Sequence, residues 1–94
     1  MRNILSLTLI LIAIAIKAQN YSSICQKGIE HIKNNDYAKA AKCFNEAVTK
    51  SSNNHEKIYA LANLAYSYQM QKDLPKALKE YDKALEIAPN ELTL

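Results

Sequence analysis

Glycine is almost missing from this chain: Gly28 is the only one in 94 residues. A loop that cradles phosphates needs several glycines so that backbone amides can close on the ligand, so nucleotide binding of that kind is excluded. Arginine is equally scarce, with Arg2 alone. Arginine is the favoured residue for bidentate phosphate contacts, and no block of lysines replaces it, so no nucleic-acid interface is expected. Proline occurs only at Pro75 and Pro89, and no stretch alternates apolar and polar residues as a strand would. No serine, cysteine or lysine stands in a recognisable nucleophile frame. Glu80, Asp82 and Glu86 interleave with Lys76, Lys79 and Lys83, a pattern expected on a solvated helix face with i,i+4 pairs. The reading is of a protein that is not an enzyme and uses no cofactor.

Soft ligands are few as well. Cys25, His31, Cys43 and His55 are separated by 5, 11 and 11 residues, which matches no short-range zinc site, so no metal is expected. The two cysteines fall on successive antiparallel helices, about one turn out of level. Two free, small apolar side chains are the expected state. A Cys25–Cys43 disulfide is the alternative; in an oxidising compartment it would close a 17-residue loop and add ~3 kcal/mol.

What the chain does have begins at its N-terminus. Arg2 is a short basic start, and Ile4 to Ile16 is a run of about 13 residues without a charge, followed by Ile16-Lys17-Ala18. That is the order of a secretory signal, and the run falls short of the roughly 20 residues a membrane-crossing helix needs. Residues 1–18 are expected to be a signal peptide cut after Ala18, leaving Gln19 first. A membrane enters only if this segment is retained. A lipid anchor is not expected, because Cys25 follows the bulky Ile24. The remaining chain carries 10 lysines against 9 acidic residues, so its charge falls from +3 to near neutral.

Four amphipathic helices follow. Tyr21, Ile24, Cys25, Ile29 and Ile32 share one face over Tyr21–Asn34. Asp36 is the expected N-cap of a second helix, Tyr37 to Lys50, with Ala40, Ala41, Phe44, Ala47 and Val48 on one stripe. Ser51-Ser52-Asn53-Asn54 reads as a loop, with Asn54 the expected cap of a third helix, His55 to Gln71. Asp73 caps a fourth, with Pro75 in its first turn and Pro89 as its stop. The two halves align at an offset of 37 residues: Asp36 on Asp73, Ala40 on Ala77, Phe44 on Tyr81, Ala47 on Ala84, Gly28 on Ala65 and Ile24 on Leu61.

In Leu61–Pro89 the residues Leu61, Leu64, Ala65, Tyr68, Ala77, Tyr81, Ala84 and Pro89 stand at the tetratricopeptide offsets. The chain resembles the tetratricopeptide repeat proteins, with a well-matched repeat at 58–91 and a degenerate one within 19–57, where Lys27, His31 and Ser52 replace Leu64, Tyr68 and Pro89. The resemblance implies an all-α fold of antiparallel helix pairs, in which small residues at each crossing let two helices approach. Residues 92–94 would begin a further helix. The outer face of Ala77–Ile87 is then left uncovered, an interaction surface that another part of a longer chain, a partner or a second copy would cover.

In this family the first helix of each repeat lines a concave groove that holds an extended peptide or a partner helix. Carried across by register, that surface would include Ile29, Tyr59, Asn63, Tyr66, Gln69 and Met70, with Cys25, Ile32 and Ala62 beside them. The positions where a lysine–asparagine clamp for acidic C-termini would begin hold Cys25 and Ile29, so that clamp is not expected. The resemblance implies a non-catalytic scaffold that binds a protein or peptide, and the signal-like segment 1–18 adds the expectation of export, to the periplasm or cell envelope of a bacterium. The rival reading makes the chain the leading segment of a larger sensor or enzyme.

Overall fold

The computed structural model describes the backbone of residues 2–87 and the side chains of residues 8–10 and 20–87. The described residues form four α-helices: α1 (Arg2–Lys33), α2 (Tyr37–Lys50), α3 (Asn54–Met70) and α4 (Leu74–Ile87). Among the described residues there is no strand. Pro89 and the expected further helix at 92–94 lie outside the described residues.

Expected and observed boundaries agree closely except at two ends. The first helix does not begin near Tyr21 but runs unbroken from Arg2, because no proline or glycine interrupts the chain before Gly28. The cap of α3 is Asn53 rather than Asn54: its side chain accepts the Glu56 N–H at 2.9 Å. Glu56 Oε1 in turn accepts the Ser52 N–H at 2.7 Å, so the loop and the first turn hold each other in the manner of a capping box. Among the described residues no helix is long and apolar enough to cross a membrane.

The turns α1–α2 and α3–α4 are built alike. Asn35 and Lys72 have φ of 60° and 65°, and they stand 37 residues apart. Asn35 and Asp36 donate their N–H groups to Ile32 and His31 carbonyls; Lys72 and Asp73 donate to Gln69 and Tyr68. Both are Schellman closures with a left-handed residue after the helix. Asp36 and Asp73 then cap the next helix, each carboxylate accepting the N–H three residues on at 3.3 Å.

Each helix packs on the next in order, α1 on α2, α2 on α3 and α3 on α4. Tyr37 meets Tyr66 and Phe44 meets Tyr59 edge to face, with centroids 6.3 and 6.5 Å apart, so α2 and α3 run antiparallel. Phe44, Ala40, Ala47, Ala60 and Leu64 form the fully enclosed centre. Gly28 lies where a Cβ would stand 2.6 Å from the Phe44 ring, so the α1–α2 crossing requires glycine. Ala65 and Ala77 are closed off in the same way in the second half. One carboxylate departs from expectation. Glu80 is 9% exposed on the α3 side of its helix, with Lys83 Nζ 3.4 Å away, while Asp82 and Glu86 are exposed.

Candidate interaction groove

Between α1 and α3 runs an open groove of about 760 Å³, lined by Tyr21, Ser22, Cys25, Gln26, Ile29, Glu30 and Lys33 from α1 and by Glu56 and Tyr59 from α3. Helical spacing places both walls. On α3 the residues Tyr59, Asn63, Tyr66 and Met70 recur at steps of four, three and four, which keeps them on one stripe. Tyr59, Tyr66 and Met70 are 47%, 38% and 43% exposed, high for such large apolar groups. Ile29 is half-buried on the opposite wall.

The polar members are partly committed. The Asn63 side-chain amide donates to the Tyr59 carbonyl at 3.0 Å. Gln69 is turned out of the stripe toward α4, where its Oε1 accepts the Tyr81 hydroxyl at 3.0 Å. Of the residues expected to line a binding surface, Ile29 and Tyr59 therefore face each other across the groove. Asn63, Tyr66 and Met70 continue the same α3 stripe beyond the groove's lining residues, with Tyr66 against Tyr37 of α2, and Gln69 belongs to the α3–α4 contact.

The groove floor is neutral. The Tyr21 hydroxyl donates to the Glu56 carbonyl at 2.7 Å, and burial, reinforced by contact with Cys25, pushes the phenol well above its usual range. Cys25 is 8% exposed and its thiol is pushed up, chiefly by burial. Cys43 also titrates high, again chiefly from burial. Both thiols are unbonded, and a raised thiol is a poor nucleophile at neutral pH. Among the described residues no three His, Cys, Asp or Glu side chains gather as metal ligands. What the groove offers is apolar and aromatic contact, with Gln26, Glu30 and Lys33 at its rim.

Sequence reasoning missed Tyr21, Ser22, Gln26, Glu30, Lys33 and Glu56 as lining residues. A signal for three of them was present. Moving the α3 stripe back by 37 residues gives Ser22, Gln26, Ile29 and Lys33, four of the seven residues of the α1 wall.

A family model described as a domain of unknown function, DUF6340, matches residues 26–93. No curated protein and no solved structure matches the chain.

Proposed function

The chain belongs to the DUF6340 family, a domain of unknown function, and for this member we propose a non-catalytic, exported binding module of tetratricopeptide type. It holds an apolar segment of a partner protein, an extended peptide or one face of a helix, in the groove between α1 and α3. The observation that carries this reading is the stripe of Tyr59, Tyr66 and Met70, exposed together beside a ready-formed groove. Exposed aromatic and methionine side chains at a concave site are the typical anchors of protein recognition. The repeated turn chemistry at Asn35 and Lys72 supports the repeat reading, and the N-terminal order of basic start, apolar run and Ala18 supports export.

The test is selection of displayed peptides on the folded chain, with affinities measured for Tyr59→Ala and Tyr66→Ala. Loss of binding by tenfold or more in either variant, with helicity unchanged, is the expected result. Peptides that bind both variants as well as the natural chain would sink the groove as the site.

A further inference from the structure

The α1–α3 groove is uneven, both between its walls and along its length. Its lining comes from α1 and α3 alone, with no residue of α4, so both walls lie within the described residues. The Tyr21 hydroxyl on the Glu56 carbonyl sets the start of α3 beside that end of the groove. Lys33 lines the other end, about 16 Å from Ser22 along α1. The α1 wall presents exposed polar side chains: Ser22, Gln26, Glu30 and Lys33. The α3 wall presents the exposed Tyr59 ring, with Glu56 one turn before it.

Three charged side chains line the groove, Glu30, Lys33 and Glu56. Glu30 and Lys33 stand one turn apart on α1, where opposite charges offset each other. Glu56 has no lining ammonium at its own end. Its Oε1 accepts the Ser52 N–H, a backbone amide that leaves the charge in place. Lys57, its neighbour in sequence, lines a different cleft with Leu61 and Glu80. The field of Glu56 reaches the groove floor. Burial comes first in pushing the Tyr21 phenol and the Cys25 thiol above their ordinary ranges, and the Glu56 carboxylate adds to it at both.

Resting on the binding reading above, we propose that the occupant is an extended segment of a partner protein that carries a lysine or arginine, with its cation set beside the Tyr59 ring and the Glu56 carboxylate. The carboxylate attracts the cation by charge and the ring face by its quadrupole. An acidic side chain at the same place is repelled. Extension follows from the α1 wall. A helix would press an apolar face onto Ser22, Gln26 and Glu30 and leave their polar groups unpaired. An extended chain brings its own N–H and C=O groups to them. At ~3.3 Å per residue, about five residues of such a chain cover the groove from Ser22 to Lys33.

The experiment is selection from a displayed library of random peptides, about seven residues long to exceed that span, on the natural chain. The strongest peptide is then synthesised and titrated against the natural chain, Glu56→Gln and Tyr59→Ala, with helicity checked by circular dichroism. Glu56→Gln keeps an oxygen for the Ser52 N–H and removes the charge. The selected peptides are expected to share a lysine or arginine at one position. Binding should weaken about fivefold in Glu56→Gln, and the peptide should tolerate proline at one or more interior positions. Peptides that need Tyr59 yet share no basic residue, or that bind Glu56→Gln undiminished, overturn the inference and leave the groove reading standing. Loss of binding with proline at every interior position overturns it too, since a helix is then the bound form. Peptides indifferent to Tyr59→Ala, or a library without binders, overturn both.

Discussion

Lys72 carries a conformational cost that its counterpart does not. At φ 65° a lysine bears the full steric penalty of the left-handed region, whereas Asn35 at φ 60° belongs to the residue types that tolerate it. Lys72→Gly is therefore expected to raise stability by about 1 kcal/mol, read as a higher urea midpoint, while Asn35→Gly changes little. The cysteines give a second residue-scale expectation. Burial holds both thiols above their ordinary range, so above about pH 8.5 the unfolded chain releases thiol protons that the folded chain keeps. Their contribution to stability is full below that pH and is lost as pH rises through the raised folded values. The urea midpoint should fall from pH 7.5 to pH 9.5, and the fall should be smaller in Cys25→Ala. Half-buried Cys43 should alkylate faster than buried Cys25 at pH 8. Gly28 was legible as a small residue at a helix crossing. Its necessity was not, because only the packed position of the Phe44 ring shows that a single methyl has no room.

The helices were readable for distinct physical reasons. Asp36 and Asp73 precede apolar stripes of period 3.6, and each caps the helix expected of it. Asp36→Ala and Asp73→Ala should each cost about 1 kcal/mol by loss of the cap, and Asn53→Ala about the same. Asn54→Ala should be nearly silent, since Asn53 holds the cap. Thermal unfolding of the four variants checks the order. The Asn53–Asn54 ambiguity could not be settled from sequence, because adjacent asparagines are equally good caps and only the reach of Glu56 back to Ser52 chooses between them. The start of α1 is not legible for a related reason: the composition changes near Gln19, and helix geometry is indifferent to that change. Glu80 was read as solvated because its neighbours alternate in charge. Its position on the Ala77–Ala84 side of α4 overrides that pattern.

In the whole molecule the helices are linked as a series, each packed on its sequence neighbours. Phe44 sits where α1, α2 and α3 meet and is fully enclosed. Phe44→Ala should cost ~3–5 kcal/mol, most of what a domain this small has, and circular dichroism should show an unfolded or barely cooperative chain. Amide exchange in the natural chain should be slowest in α2 and α3, which have a neighbour on each side, and fastest in α4. Most of the architecture was legible because it repeats, and a repeat states its packing twice. The groove was only half legible, since its α1 wall carries Ser22, Gln26 and Lys33 where α3 carries Tyr59, Asn63 and Met70, and polar residues do not announce a surface. The series arrangement also has a consequence in time. The main contacts join helices that are consecutive along the chain, so loop closure is cheap at each step and folding should be fast. The first hairpin can close on Gly28 as soon as Lys50 has emerged from a ribosome. Its ring at Phe44 is sealed once α3 follows, before α4 need exist.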